Sequence, residues 1–126
     1  MKRLAIPIVL AAVVLLIIAV AIPWVARQRA AGERAACVEM LRRIQGAKWQ
    51  WALEHEASSN AIPTWEDLHY YGGRDHDDPW YDHYPPHCPA GGDYTIGRIA
   101  DPPTCSVPGH KIVIVNGRTT RADEAD

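Results

Sequence analysis

Hydrophobic and polar positions divide the chain into three stretches of different periodicity. Residues 4–25, LAIPIVLAAVVLLIIAVAIPWV, carry no charge and no side-chain amide or hydroxyl. A helix that is apolar on every face has no side to turn to water, which is the pattern of a membrane span. At about 1.5 Å rise per residue the run reaches roughly 33 Å, enough to cross a hydrocarbon core about 30 Å thick. Pro7 falls in the first turn, where a missing N–H does no harm, and Pro23 falls near the exit, where it bends only the last turn. Leu4, Trp24 and Val25 mark the ends of the expected anchor, with the Trp24 indole at the depth such rings favour. Residues 1–26 are thus expected to form a transmembrane segment.

Beyond it the pattern becomes amphipathic. Cys37, Met40, Leu41, Ile44, Ala47 and Trp51 recur at helical spacing in a proline-free stretch rich in Ala, Arg, Glu and Gln, which predicts that the first helix continues over 27–57. Glu39 stands four residues before Arg43, an order that adds a few tenths of a kcal/mol on a helix surface. Gly46 costs about 1 kcal/mol relative to Ala, which close packing at that point would explain. The stripe bearing Cys37, Leu41, Ile44 and Trp51 is the face on which a small domain packs, or a face for self-association.

Residues 58–126 form the third stretch. The Ser-Ser-Asn sequence at 58–60 breaks the helix, and a short second helix is expected to follow Thr64 as its N-cap, with Glu66 and Asp67 in the first turn, where the helix dipole favours acids. Gly72 and Gly73 end it. Residues 74–87, RDHDDPWYDHYPPH, lack periodicity and read as an irregular loop. Strands are expected over 94–99, 111–115 and 118–121, the last two joined by Asn116-Gly117, the dipeptide suited to a two-residue type I′ turn. The fold class is α+β: a long first helix, a short second helix and a small C-terminal antiparallel sheet.

Composition narrows this picture. About 100 residues remain outside the apolar run, enough for one small domain with a limited core. Three cysteines, ten prolines, nine glycines and no Phe fit a turn-rich exported domain. A net charge of -2 offers no basic field, so no nucleic-acid partner is expected. The apolar run has a second reading as a signal peptide, with Lys2 and Arg3 as the basic start and Ala19-Val20-Ala21 as a small-x-small site, but its length favours an uncleaved anchor. Basic residues lie on both sides of it. Orientation is therefore taken from the cysteines, which place the amino terminus in the cytoplasm and the C-terminal domain in the periplasm or outside the cell.

Candidate chemistry lies in two places. Cys88 and Cys105 flank the first expected strand, and a disulfide closing that loop would contribute about 3 kcal/mol in the chain-entropy model. Cys37 is then the odd cysteine, a small buried hydrophobe, an intermolecular bridge or an alternative partner for one of the others. The loop gathers Asp75, His76, Asp77, Asp78, Asp82, His83 and His87, a set in which carboxylates suit calcium and imidazoles suit transition metals. Its prolines prevent a shared helical face, its spacing matches no established ligand pattern, and a solvated polar loop with no cofactor is the simpler expectation. No enzyme activity is expected. Ser58, Ser59 and Ser106 lack a nucleophile-elbow context, Cys88 precedes Pro89 and not a CxxC pair, and there is no glycine-rich phosphate loop.

A basic start, an apolar helix running into an amphipathic one, and a small C-terminal β-domain expected to be closed by a disulfide resemble the type IV pilin and pseudopilin superfamily. The closer likeness is to short bacterial pilin-like proteins, carried by CVEMLRRIQGAKWQWALEH, PTWEDL, CPAGGDYTIG and PTCSVPGHK in that order. This resemblance implies a single-pass protein of the bacterial inner membrane and a structural or interaction role as a minor or degenerate subunit of a type IV pilus or type II secretion-type apparatus. The membrane, a second copy and other pilin-like subunits are the partners it implies, the latter two through the first helix. The chain departs from the family at its start. It reads Met1-Lys2-Arg3-Leu4-Ala5-Ile6-Pro7, without the glycine, Phe-Thr-Leu and glutamate of the prepilin peptidase motif, and has no acid before Glu33. The alternative function is a membrane-tethered or secreted module that holds a metal or small ligand in the Asp/His loop.

Overall fold

The computed structural model describes residues 2–73, 78–82, 84–115 and 117–121. Helix α1 runs Lys2–Glu54, continuous through Pro7 and Pro23. It is followed by α2 (Trp65–Leu68), α3 (Pro79–Asp82), β1 (Tyr94–Thr95), β2 (Thr104–Cys105), β3 (Ile112–Val115) and β4 (Arg118–Arg121). The α+β class is as expected. The single sheet is corrected to two separate antiparallel pairs, β1–β2 and β3–β4. Contacts divide the chain into two units, Met1–Gly32 and Glu33–Asp126.

In the first unit, α1 is one helix long and apolar enough to cross a membrane. Its large apolar side chains from Ile6 to Val25, Trp24 included, are all exposed to their surroundings.

In the second unit, α1 supplies the floor of the core. Cys37, Val38, Leu41, Ile44 and Ala47 are buried together with Leu68, Trp80, Cys88, Tyr94, Ile96 and Ile112, while Met40 and Trp51 pack against them half-buried. The stripe of Cys37, Leu41, Ile44 and Trp51 is thus a packing face within the chain. Gln45 and Lys48 are also fully buried, on a face where apolar residues alone were expected. The Lys48 ammonium donates to the carbonyls of Ile96 (2.8 Å) and Asp101 (2.7 Å), two groups of the β1–β2 connection that lack ladder partners. With its amide oriented to satisfy both ends, Gln45 accepts from Trp49 Nε1 at 2.7 Å and donates to the same Asp101 carbonyl at 3.3 Å.

Helix α1 ends three residues before its expected limit. Glu56 adopts φ +49, and the Ala57 N–H donates to Ala52 O at 2.9 Å, the six-to-one bond of a Schellman cap with glutamate where glycine is usual. Helix α2 begins as expected at Thr64, whose Oγ1 accepts from Asp67 N while the Thr64 N–H donates to Asp67 Oδ2 at 2.7 Å. That reciprocal box holds the Asp67 carboxyl below the ordinary carboxylate range.

The expectation of a structureless loop at 74–87 is corrected. Its described part contains α3, and Trp80 is fully buried, with its indole Nε1 donating to His69 O at 3.0 Å. A Cβ on Gly72 would run into that indole, so the glycine lets the ring pack against the backbone. Tyr84 closes the aromatic cluster, edge-on to Trp65 and His69, with its hydroxyl donating to Trp65 O. In the second sheet Val115 pairs with Arg118 across the expected two-residue turn, and Gly117 has φ +74, as a type I′ turn requires of its second residue. Asn116 lies outside the described residues.

Candidate metal centre

Four metal-ligating side chains arrive at one point of the Glu33–Asp126 core from four places in the sequence. Cys37 is presented by α1, in the first fully buried turn of its apolar stripe. Cys88 opens a tight turn in which Gly91 N donates to Cys88 O (2.8 Å) and Cys88 N donates to Gly92 O (2.9 Å), with Gly91 at φ +84. Cys105 ends β2 directly opposite Tyr94 of β1. His110 follows a second turn, closed by His110 N to Val107 O at 3.2 Å and tied to α1 by Arg34 Nε donating to Gly109 O at 3.2 Å. The three sulfurs and one imidazole nitrogen all lie within 4.8 Å of one another. Cys88 Sγ and His110 Nδ1 are 3.4 Å apart.

The surroundings are largely buried and closely fitted. Cys37 and Cys88 are buried, His110 is 8% exposed and Cys105 is half-buried. Burial pushes the Cys37 thiol well above its ordinary range, the neighbouring sulfurs adding to the effect, and also raises the Cys105 thiol. Two donors point the other way. The Val107 N–H lies 3.5 Å from Cys105 Sγ, and the Tyr94 hydroxyl beside Cys37 favours a thiolate there. That hydroxyl is buried and makes no hydrogen bond of normal geometry, and burial raises its own pKa. A Cβ on Gly92 would stand 2.5 Å from Val107 Cγ2 and 3.2 Å from Cys105 Sγ, so only glycine lets the Cys88 turn approach β2 this closely.

The expected Cys88–Cys105 disulfide is absent from the structure. All three cysteines are free thiols, and the expected pair is joined by Cys37. The Asp/His loop fares differently. Asp75, His76, Asp77 and His83 lie outside the described residues. Asp78 is engaged as a structural group: its Oδ1 and Oδ2 accept from Arg43 at 2.8 and 3.0 Å, and Oδ1 also caps α3 through the Trp80 N–H at 3.0 Å. Asp82 closes α3. His87, exposed, pairs with the exposed Asp93 at 3.1 Å. Among the described residues, the group close enough to share an ion is the Cys37, Cys88, Cys105 and His110 set.

Sequence reasoning did not single out His110 or Tyr94 as site residues. The usable signal was the pair of short loops CPAGG and CSVPGH, each placing a cysteine at a glycine turn, with a histidine closing the second. Comparison with known protein families, curated proteins and solved structures gives no match.

Proposed function

We propose that this chain is a membrane-anchored, pilin-like structural or interaction protein, a subunit of a type IV pilus or type II secretion-type apparatus without catalytic activity of its own. The observation that carries the reading is the character of α1, a single helix whose residues 6–25 are apolar on all sides and exposed, and whose residues 37–48 bury a stripe in a small α+β unit. An uncharged helix with no polar group to offer supplies insertion into lipid and surface for other apolar helices, and little else. Because the stripe of Cys37, Leu41 and Ile44 is consumed inside the chain, partners are left the apolar segment. The resemblance of the cysteine-bearing segments to short pilin-like proteins supports the narrower assignment, with the small unit on the far side of the inner membrane.

The mature protein from membranes of an expressing bacterium tests this. Expected is an intact mass that retains residues 4–25, resistance to alkaline carbonate extraction, and cross-linking between copies through residues introduced along 6–25. A soluble product starting near Ile22 would identify the run as a cleaved signal sequence and overturn the anchored-subunit reading.

A further inference from the structure

We propose that Cys37, Cys88, Cys105 and His110 form a structural zinc site, closed on all four sides, that clasps helix α1 to the two turns of the β region. Zinc at a Cys3His site is tetrahedral, with bonds of about 2.3 Å to sulfur and about 2.0–2.1 Å to nitrogen, which sets edges of roughly 3.5–3.8 Å between ligand atoms. The observed Cys88 Sγ to His110 Nδ1 separation of 3.4 Å already matches such an edge, and no separation within the set exceeds 4.8 Å. Small rotations about the Cys χ1 bonds bring the rest into place. A disulfide would use two of the sulfurs and leave a third thiol and an imidazole buried beside it with no function.

The donor set selects the ion. Three sulfurs and an imidazole suit zinc and exclude calcium and magnesium, which take oxygen. Binding releases three S–H protons to solvent as three sulfur–zinc bonds form, and neutral His110 donates its Nδ1 lone pair, so the site carries one net negative charge. The shell around it is suited to that charge. The Tyr94 hydroxyl, buried without a normal partner, gains a thiolate acceptor at Cys37, and the Val107 N–H gains one at Cys105. With four protein ligands no position is left for water or substrate, so the role is structural. This site goes beyond the membrane-subunit reading and does not depend on it, since every ligand lies within Glu33–Asp126.

The full chain, purified in detergent micelles, reduced and stripped of metal, is titrated with zinc and with cobalt(II). Expected is one metal per chain, with the cobalt form showing tetrahedral ligand-field bands and thiolate-to-cobalt charge transfer. His110→Ala should weaken cobalt binding by at least ten-fold. His110→Cys should restore it with a stronger charge-transfer band, so that a folding defect in the alanine variant does not obscure the result. Tyr94→Phe should lower zinc affinity about ten-fold, the usual effect of losing a partner of a metal ligand, without destabilising the metal-free protein. Reduced wild-type chain that takes up no cobalt, or binding unchanged by both Cys37→Ser and His110→Ala, would overturn the proposal. So would a chain isolated lighter by two hydrogens, with a sulfur–sulfur bond, that still takes up no cobalt once reduced.

Discussion

In residues 6–25 of α1 the large apolar side chains stand exposed, from Val25 at 44% to Leu15 and Leu16 at 66%, whereas in residues 37–48 Leu41, Ile44 and Lys48 have no exposure at all. Both segments belong to one continuous helix. The difference lies in what meets the side chains. Over the second segment the chain folds back from 68 to 112, so apolar residues find a core, and polar ones find carbonyls left unpaired by the short strands. In the first, the large apolar side chains stand exposed, which is tolerable for an apolar side chain in lipid and costly for one in water. Helix formation therefore says little about role. The burden falls on the residues that reach the helix from elsewhere.

The comparison breaks most visibly at its two leucines. Leu41→Ala removes a fully buried side chain and should cost about 2–5 kcal/mol of unfolding free energy. Leu15→Ala, in the exposed run, should leave unfolding of the Glu33–Asp126 unit within about 0.5 kcal/mol of the parent. Denaturant unfolding of the full chain in micelles, followed by Trp fluorescence at fixed metal content, measures both. Equal losses at the two sites would show that the segments are not energetically separate.

Lys48 sharpens the comparison, because a lysine on the buried face is the residue least expected there. Burial lowers its pKa from 10.5 to about 8, with the Asp101 carboxylate opposing the shift. The folded value lies below the unfolded one, so between them the unfolded chain holds more protons and stability rises with pH. The neutral amine retains donors for both the Ile96 and Asp101 carbonyls, so both hydrogen bonds can persist as the charge goes. Lys48→Met leaves the Ile96 carbonyl unpaired and the Asp101 carbonyl with the Gln45 amide alone, and should cost about 2 kcal/mol at pH 7. Between pH 7 and pH 9 the wild type should gain about 1 kcal/mol relative to the variant, a difference in which the thiols cancel. A gap that stays constant over that range would mean the ammonium is not desolvated by its site.

How much of this was legible follows from the range of the interactions. Features set by neighbours in sequence could be read directly: the apolar run, the helical spacing of Cys37, Leu41 and Ile44, the Thr64 cap, and the Asn116-Gly117 connection that brings Val115 opposite Arg118. Features set by distant partners could not. Lys48 on an apolar stripe is explained only by two carbonyls in the β1–β2 connection, and Trp80 in a stretch of acids and prolines only by the space that Gly72 leaves for it. The metal centre is the extreme case. Cys88 and Cys105 were visible as a pair, but a pair of cysteines reads as a disulfide until a third sulfur and an imidazole are brought beside it. Here Cys37 comes from the helix and His110 from a turn held by Arg34. Of the Asp/His loop, Asp75, His76, Asp77 and His83 lie outside the described residues. Asp78 serves Arg43 and the start of α3.

The smallest expected effect lies where the buried segment stops. Glu56 occupies the left-handed position of the Schellman cap at φ +49, a conformation that costs a residue bearing a Cβ roughly 1 kcal/mol and costs glycine almost nothing. The Glu56 side chain is exposed, so replacing it removes no buried contact. Glu56→Gly should therefore stabilise the second unit by about 0.5–1 kcal/mol, less the added freedom of the unfolded chain, and raise the unfolding midpoint by roughly 2–5 °C for a domain of this size. Thermal unfolding by circular dichroism at fixed pH and metal content measures it. A lowered midpoint would show that α1 is terminated by the Ala57-to-Ala52 bond and its surroundings strongly enough that the strain at Glu56 is already relieved, and that the sharp boundary of the helix owes nothing to its cap residue.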